Sequence, residues 1–385
     1  MFSSHLDQSR YQVVLEHLGQ AGSRELLATP ALECELDRLD ANIAAMSERA
    51  NDGGVRLRPH LKSHKSAFVA RRQLRVGASG LAFAKLSEAE AVMAQLNDVE
   101  RISVLLTSPL VGVDHAARAR ELSQICDLAV VVDTVEGVDE LVSSFGDSGP
   151  SLSVLCDVDV GLGRTGVVGV DQARRVVERI LSNDLHFGGV QGYAGHVQHV
   201  KGRDERRAMT IATSERLSQV IGALEQDGVP VELRTGGGTG TFGIDIELEV
   251  LNELQCGSYV FMDRQYRDAL GDDEEGRFGQ SLFLATTVIS ANHQGHVTTD
   301  AGFKAMATDA GPPSVWAHEA TATYGFFGDE QGLLADTGST WKRGDRVRLV
   351  PPHCDPTVNL YDVIWLVRDD VVLDYFEVDA RGCSQ

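Results

Sequence analysis

The feature that most limits the fold of this chain is an alternation of short apolar strands and helical segments through its first 260 residues. Helical segments such as 39–50, 87–96 and 171–182 separate the strands, and Ser87 with Glu90 predicts a capping box for the second of them. About eight strand–helix repeats are typical of a (β/α)8 barrel, and a doubly wound open sheet is the structural alternative. The number of repeats favours the barrel. The predicted strands lie at 31–37, 55–61, 80–86, 102–107, 128–132, 152–157, 188–193 and 231–236, with a ninth near 257–262.

The pattern changes after about residue 275. A charged, turn-rich segment, 271–276, is followed by apolar runs with little helical periodicity, which predicts an antiparallel β domain. We therefore expect an α/β barrel of residues 29–275 and a β domain of residues 276–385, and residues 1–28 are compatible with packing on either. The strands predicted in the second domain are 283–290, 345–351, 361–368 and 371–378.

Composition excludes several classes of protein. A net charge of −21 repels phosphate backbones, so nucleic acid is not an expected partner. No apolar run approaches the roughly 20 residues of a membrane span, and the first residues lack the order of a secretory signal. The six cysteines form no CxxC pair and are expected to be reduced thiols. These observations predict a cytoplasmic, soluble protein without a membrane partner.

A basic motif, Arg58-Pro-His-Leu-Lys-Ser-His-Lys65, follows the second predicted strand. It belongs to a stretch, 54–86, that contains eight basic residues and no acidic one. Neighbouring cations disfavour an ammonium, so the stretch indicates either an anionic ligand or a lysine whose pKa is lowered for Schiff-base chemistry. Ordinary surface charge at the start of a helix explains the same stretch equally well.

Glycines form a second motif, Gly236-Gly-Gly-Thr-Gly240, at another strand end. Successive glycines let backbone N–H groups approach an oxyanion closely, which suits a cofactor with one phosphate. The spacing fits neither a dinucleotide-binding GxGxxG loop nor a Walker loop. Cys256-Gly-Ser-Tyr259 offers a further turn with hydroxyl donors, and an ordinary turn remains the alternative for either motif.

The third motif is His353-Cys-Asp-Pro-Thr357. In extended backbone His353 and Asp355 face the same side, where they provide an imidazole and a carboxylate for one metal ion. So few protein ligands leave coordination positions for substrate, and the hard oxygen ligand favours Mn²⁺ or Mg²⁺ over a thiolate-bound zinc. A proline-flanked turn with incidental polar residues is the alternative.

Two further strand ends carry candidate residues. Tyr193-Ala-Gly-His-Val-Gln-His199 contains two histidines, His196 and His199, each of which is a candidate general base. Gly161-Leu-Gly-Arg-Thr-Gly166 places Arg164 where it can meet an anionic ring oxygen or a carboxylate. A structural histidine and a surface arginine are the alternatives.

Six motifs together resemble a known family. RPHLKSHK, GLGRTG, the YxGxxQH pattern, GGGTG, CGSYVFMD and PPHCDPT occur in the same order in D-threonine aldolases and their relatives, the D-3-hydroxyaspartate aldolases and D-serine dehydratases. The resemblance spans about residues 29–382. It implies the alanine racemase fold, in which a barrel that binds pyridoxal 5'-phosphate precedes a β domain, and it implies a homodimer.

The same resemblance implies roles for individual residues. Lys62 would carry pyridoxal phosphate, and His199 would act as base on the substrate hydroxyl, while His196 matches no position of the pattern. A divalent metal would bind to His353 and Asp355. The remaining cofactor-binding residues would be Arg164 and Tyr193 at the ring and Thr239, Gly240, Ser258 and Tyr259 at the phosphate.

One position distinguishes reactions within the family. Dehydratases of this group have a His-x-Cys pair at the metal, whereas the aldolases have a His-x-Asp pair. The sequence resembles the aldolases at this point, with His353 and Asp355 in the two positions. We therefore expect a lyase that cleaves D-3-hydroxy amino acids to glycine and an aldehyde. A dehydratase that uses the same site and a non-catalytic carrier of pyridoxal phosphate are the alternatives.

Overall fold

The computed structural model describes residues 8–145, 152–271, 278–336 and 340–385. Two sheets organise the chain. The first contains the strands β2 (Arg56–Leu57), β3 (Leu81–Phe83), β4 (Ser103–Leu106), β5 (Asp127–Val132), β6 (Ser153–Asp157), β7 (His186–Gly192), β8 (Leu233–Gly236) and β9 (Glu253–Leu254). All pairs within it are parallel, in the order β2-β9-β8-β7-β6-β5-β4-β3. A parallel bridge between His60 and Ala82 joins the two edges of the sheet, so the strands close into a ring.

Helices separate these strands along the chain. Their apolar residues recur at helical spacing: in α7, Ala173, Val176, Val177 and Ile180 are all buried, which is the pattern of a helix that packs one face on a sheet. The helices are α1 (Gln12–Leu15), α2 (Leu36–Asp52), α3 (Ala67–Arg75), α4 (Leu86–Gln95), α5 (Val113–Leu122), α6 (Val135–Phe145), α7 (Val170–Leu181), α8 (Arg203–Gln226), α9 (Phe242–Leu248), α10 (Arg264–Leu270) and α11 (Cys354–Val358).

Barrel strands such as β5 bury both of their faces. In β5, Val130 and Val132 belong to the large core shared with the helices, whereas Ala129 and Val131 pack inside the ring. Successive side chains of a strand point to opposite faces, so a strand buried on both sides reads as the continuous apolar run seen in the sequence. The interior of the ring is therefore packed with side chains.

The second sheet consists of β1 (Ala31–Glu35) and the strands that follow the barrel. These are β10 (Leu282–Ser290), β11 (Val297–Thr299), β12 (Ser314–Val315), β13 (Ala322–Phe326), β14 (Gly332–Asp336), β15 (Arg346–Val350), β16 (Val363–Arg368) and β17 (Val371–Glu377). Its pairs are antiparallel except that β1 runs parallel to β16. Val14 and Leu27 pack against Trp365 and Val367 of this sheet, so the described part of the N-terminal segment lies on the β domain.

A barrel followed by a mostly antiparallel β domain confirms the predicted fold class. The predicted boundary at 275/276 lies outside the described residues, and the division into domains 29–275 and 276–385 stays a prediction. The prediction that 31–37 forms a barrel strand is wrong, because β1 pairs with β10 and β16. The ninth strand predicted near 257–262 is also wrong: β9 lies at Glu253–Leu254, and Ser258–Val260 is a 3-10 turn.

The capping box predicted from Ser87 and Glu90 is wrong by a small shift in register. Helix α4 begins at Leu86, and the carboxylate of Glu88 accepts the backbone N–H of Lys85 at 3.2 Å. Ser87 instead donates its hydroxyl to the carbonyl of Gln385 at 2.6 Å. Within the ranges that the structure describes, no helix is long and apolar enough to cross a membrane.

A buried ion pair inside the ring offers a test of this packing. Arg58 Nε lies 2.7 Å from Glu253 Oε1, and neither side chain is more than 7% exposed. We expect Arg58→Ala to lower the free energy of unfolding by about 3–5 kcal/mol, because the Glu253 carboxylate loses its closest counter-charge in a buried place. Urea unfolding followed by circular dichroism measures this change.

The matched control removes an arginine from a surface pair. Arg174 and Asp227 are both more than 40% exposed, so Arg174→Ala is expected to cost no more than about 1 kcal/mol. Equal effects of the two substitutions would contradict the assignment of Arg58 to the interior of the ring.

Candidate active site

Lys62 lies at the mouth of the barrel, directly after the bridge that closes the ring. It is the central residue of a 3-10 turn, Leu61–Ser63, and its backbone N–H donates to His60 Nδ1. Its ammonium lies 3.1 Å from Asp355 Oδ2, and the side chain is 39% exposed. Because chemistry in α/β barrels sits at the carboxyl ends of the strands, this is the expected place for a reactive lysine.

The structure corrects the expected charge environment of Lys62. The Asp355 carboxylate raises the pKa of Lys62 above its ordinary value although burial opposes it, so the expectation of a lowered lysine pKa is wrong for this structure. Other members of the basic stretch are paired with acidic residues from elsewhere in the chain. These pairs are Arg58 with Glu253, Lys65 with Glu88, Arg71 with Asp98 and Arg72 with Asp40.

His353 and Asp355 line the same cavity as Lys62, which has a volume of about 650 Å³. The sequence analysis expected extended backbone from His353 to Asp355, and the structure differs. His353 is extended, with φ −146°, but it is the N-cap of α11, and Asp355 lies in the first turn of that helix. The strand alternation expected for this pair is therefore wrong, although both side chains reach one cavity.

Asp263 holds the His353–Asp355 segment against the barrel. Its carboxylate accepts the N–H of Tyr266 at 2.9 Å as the N-cap of α10, and the N–H of Cys354 at 2.8 Å. Burial raises the pKa of Asp263 to about 6 against the effect of these two bonds. The sequence analysis missed this residue, but an aspartate directly before a helical segment is a recognisable capping signal.

Asp355 is the electrostatic centre of the cavity. Its Oδ1 accepts the Ser258 hydroxyl at 3.2 Å, while its Oδ2 contacts Lys62. Burial alone would raise the pKa of Asp355, but the Lys62 ammonium and then His353 outweigh it and hold that pKa well below its usual range. This hydrogen bond joins the turn that contains Ser258 to the His353–Asp355 segment.

His199 lies beside the same segment. Its ring centroid is 4.5 Å from that of Tyr266 and 6.3 Å from that of His353. Burial, followed by the charge of His353, lowers the pKa of His199 to about 4, so the imidazole is neutral near pH 7. Its Nε2 is buried and has no hydrogen-bond partner among the described residues, whereas His196 is exposed.

The candidate ligands His353 and Asp355 are compatible with a bound cation that has few protein ligands. In the described part of the chain, no group of three or more His, Cys, Asp and Glu side chains is arranged as a metal site. A cation bound by His353 and Asp355 would therefore take its other ligands from water or substrate, as catalytic metal sites do. The Nε2 of His199, which is buried without a hydrogen-bond partner among the described residues, fits a polar ligand at this place.

Arg164 and Tyr193 line a second cavity, of about 570 Å³, that Lys62 also borders. The Arg164 guanidinium lies 5.6 Å from the centre of the Tyr193 ring. Gln255 and Gln191, which sequence analysis missed, form a hydrogen-bonded pair at 3.1 Å along this cavity. A polar residue at the end of an apolar barrel strand is the signal that identifies such positions.

The glycine motif is required by close packing. A Cβ atom on Gly236 would lie 2.0 Å from the carbonyl oxygen of Gly192, and one on Gly240 would lie 2.0 Å from that of Gln198. The N–H of Gly240 donates to the Gln198 side chain at 2.9 Å. The motif therefore packs directly on the Tyr193–His199 segment.

The residues predicted at the phosphate lie on two adjoining turns. The hydroxyl of Thr239 accepts the N–H of Tyr259 at 3.1 Å, which joins the glycine motif to the turn that contains Ser258. The ring of Tyr259 is buried, and its hydroxyl accepts a hydrogen bond from Gln73 at 3.1 Å. Only the backbone of Tyr259 is therefore available at these turns, and the phosphate role of the four residues stays a prediction.

Comparison with known proteins finds relatives for both parts of the chain. Residues 34–265 match the family of alanine racemase N-terminal domains, and residues 281–367 match a serine dehydratase domain. The chain is 36% identical to a D-threonine aldolase of an Arthrobacter species, with 93% of each chain covered. It is 34% identical to a 3-hydroxy-D-aspartate aldolase of Paracoccus denitrificans, with 98% of each covered.

A solved structure agrees with these sequence matches. The crystal structure of D-threonine aldolase from Filomicrobium marinum superimposes with a TM-score of 0.89 at 33% identity, covering 94% of this chain and 98% of that one. The chain belongs to the D-threonine aldolase family. This family is one of pyridoxal-phosphate-dependent enzymes, and related aldolases and dehydratases require a metal. The predicted family and enzyme class, a lyase of this family, are confirmed.

Asp245, behind the glycine motif, gives a test of the site's electrostatics. Its carboxylate is buried, accepts the Thr241 hydroxyl at 2.6 Å, and has its pKa raised to about 7 by burial. The unfolded value is about 3.9, so the folded state binds the extra proton and stability is lost as pH rises from about 4 to 7. Asp245→Asn is expected to remove this loss and to stabilise the protein by about 2–4 kcal/mol at pH 8, with little effect at pH 4.

Urea unfolding of both proteins across this pH range measures the difference. Asp184→Asn, at an exposed turn, is the control, and it should leave the pH profile unchanged. A profile of Asp245→Asn that parallels the wild type would contradict a raised pKa for Asp245.

Proposed function

We propose that the chain is a lyase, dependent on pyridoxal phosphate and a divalent metal, that cleaves D-3-hydroxy amino acids of the D-threonine type to glycine and an aldehyde. The observation that carries the proposal is the contact of Lys62 with Asp355 at 3.1 Å. It places a lysine suited to the cofactor and a carboxylate suited to a metal on one cavity, with His353 beside them. Homology to two aldolases over nearly the whole chain supports the same reaction.

Lys62 would hold the cofactor through its amine. Arg164 and Tyr193, on the neighbouring cavity, would border the ring. Thr239, Gly240, Ser258 and the backbone of Tyr259 would hold the phosphate. Bound there, pyridoxal phosphate supplies an electron sink for the bond that breaks.

His353 and Asp355 would bind the metal, which we propose to be Mn²⁺ or Mg²⁺ because a carboxylate is a hard ligand and Cys354 is not available. The Cys354 thiol is buried and donates to Asp355 at 3.2 Å. A divalent cation bound by His353 and Asp355 would supply Lewis acidity to the substrate's 3-hydroxyl. Asp263 and α11 fix the orientation of both protein ligands.

His199 would accept the proton of the 3-hydroxyl. The imidazole is neutral near pH 7 because burial lowers its pKa, and its Nε2 has no competing partner among the described residues. Loss of that proton leads to cleavage between Cα and Cβ. A base in this position is typically worth about 10²–10⁴-fold in rate.

The strongest rival is a dehydratase that removes the 3-hydroxyl itself. The match of residues 281–367 to a serine dehydratase domain favours it. Asp355 argues against a dehydratase, because the dehydratases that this chain resembles have a cysteine at the position of Asp355. A non-catalytic carrier is less well supported, because it needs neither the β domain nor the His353 and Asp355 pair.

We further propose a cytoplasmic homodimer. The family resemblance implies the dimer, and the exposed Val111, Val113 and Val168, in segments that follow barrel strands, are candidate residues for its interface. All six cysteines are free, and five of them are buried, as expected in a reducing compartment.

The attachment of the cofactor can be tested by chemical labelling. Borohydride reduction of the protein loaded with pyridoxal phosphate, followed by peptide mapping, should find the pyridoxyl group on Lys62. Lys65 is the internal control, because it belongs to the same motif but its side chain is only 9% exposed, against 39% for Lys62. A label on Lys65, or an undiminished label in Lys62→Ala, would overturn the assignment.

The reaction can be tested by product analysis with manganese present. D-Threonine should yield glycine and acetaldehyde, L-threonine should be inert, and removal of the metal by a chelator should abolish turnover reversibly. His353→Ala and Asp355→Ala should reproduce the chelated enzyme, because each removes one proposed ligand.

Two outcomes decide against this reaction. Release of 2-oxobutanoate and ammonia as the main products would identify a dehydratase. Full activity after chelation, with elemental analysis confirming that the metal is gone, would show that the reaction does not need a metal bound by His353 and Asp355.

A further inference from the structure

Gln198 is the residue directly before His199, the proposed base, and its side chain is buried. The carboxamide makes three hydrogen bonds. Its Nε2 donates to the carbonyl of Ala194 at 3.2 Å and to the hydroxyl of Thr241 at 3.1 Å. Its Oε1 accepts the backbone N–H of Gly240 at 2.9 Å. The side chain is therefore held on both of its polar atoms.

The glycine motif is shaped to receive this carboxamide. A Cβ atom on Gly238 would lie 2.4 Å from Gln198 Oε1, so a side chain at 238 would displace it. The hydroxyl of Thr241, which accepts from Gln198, donates in turn to the Asp245 carboxylate at 2.6 Å. Gln198 thus joins the segment that contains His199 to the motif proposed to hold the phosphate.

Arg206 holds the other side of His199. Its side chain is buried, and its Nη1 donates to the carbonyl of Val200 at 2.6 Å and to that of Ala269, in α10, at 2.8 Å. Tyr266 of the same helix packs on the His199 ring, with 4.5 Å between the ring centroids. His199 therefore stands between two residues whose backbone positions are fixed.

These anchors matter because the His199 ring is weakly held by its own polar atoms. Its Nε2 has no hydrogen-bond partner in the part of the chain that the structure describes. A general base acts only within hydrogen-bond reach of the proton that it accepts, and a misplacement of about 1 Å costs about 10²-fold in rate. The position of the imidazole thus depends on the backbone that Gln198 and Arg206 fix.

We propose that Gln198 is a positioning residue, which fixes His199 on the glycine motif so that the imidazole reaches the proton of the substrate's 3-hydroxyl. In the part of the chain that the structure describes, Gln198 is not among the residues that line the two cavities bordered by Lys62. It acts through His199, and the inference rests on the proposed aldol cleavage with His199 as base.

The first test measures kcat for D-threonine with saturating pyridoxal phosphate and Mn²⁺. Methionine has about the length of glutamine but makes none of its three hydrogen bonds, so Gln198→Met should lower kcat about 10²-fold. Gln280→Met is the matched control. Gln280 is also buried and donates to two backbone carbonyls, those of Met262 and Leu282, and its replacement should leave kcat unchanged.

A double variant separates positioning from a general loss of structure. If Gln198 acts through His199, the variant with both Gln198→Met and His199→Ala should have the kcat of His199→Ala alone, within about twofold. Losses that multiply would show that Gln198 acts independently of His199, and they would overturn the inference.

A second readout needs no activity. In protein freed of cofactor and metal, diethylpyrocarbonate modifies neutral, accessible imidazoles, and peptide mapping reports the rate at each histidine. His199 should react severalfold faster in Gln198→Met than in the wild type, because its backbone is released. The exposed His293, at the turn after β10, is the internal reference and should react equally in both. An unchanged rate at His199 would contradict the proposed anchoring.

A pair of substitutions at Thr241 keeps the inference testable if Gln198→Met does not fold. Thr241→Val removes the hydroxyl that accepts from Gln198 and should lower kcat about tenfold, whereas Thr241→Ser retains that hydroxyl and the activity. Equal kcat values of the two variants would count against the inference. Failure of the proposed function looks different: His199→Ala would then keep its activity, or D-threonine would release no glycine in the wild type.

Discussion

The contact between Lys62 and Asp355 is the interaction on which the rest of the site depends. Lys62 comes from the barrel and Asp355 from the β domain, so their separation of 3.1 Å requires the two sheets to be held in a fixed relation. Strand β1 contributes to this, because it pairs with β10 and β16 of the second sheet and then leads directly into α2 of the barrel. Asp263 adds a second link through the backbone of Cys354.

Local patterns predicted the elements of the fold but not every sheet to which they belong. Residues 31–35 form a strand, as expected, yet the sequence pattern carries no information about the partner, because β1 of the second sheet buries both faces just as the barrel strand β5 does. The backbone around Asp355 differs from the predicted extended conformation for another reason. Proline at 356 suggests an extended turn, but proline is tolerated in the first turn of a helix, where it stands in α11.

The candidate site could be predicted where its residues follow barrel strands. Lys62, Arg164 and Tyr193 follow the carboxyl ends of β2, β6 and β7, which lie at the same mouth of a parallel barrel, and they border one cavity. Asp263 and Asp309 escaped prediction because their importance lies in contacts with Cys354 and His353, from distant parts of the chain. The wrong expectation for the pKa of Lys62 has the same origin: the basic stretch is visible in the sequence, but the acidic partners that neutralise it are not.

The arrangement divides the chemistry between the two parts of the chain. The barrel supplies Lys62 and the proposed contacts to the cofactor, where glycines at 236 and 240 permit backbone contacts too close for any Cβ. The β domain supplies His353, Asp355 and Asp309, which face the proposed position of the reacting hydroxyl. Residues of the β domain are therefore able to alter the reaction or the substrate without disturbing the barrel. Such a division explains in physical terms how aldolases and dehydratases arise on one scaffold: the cofactor chemistry is retained, and a few side chains around the hydroxyl decide which bond breaks.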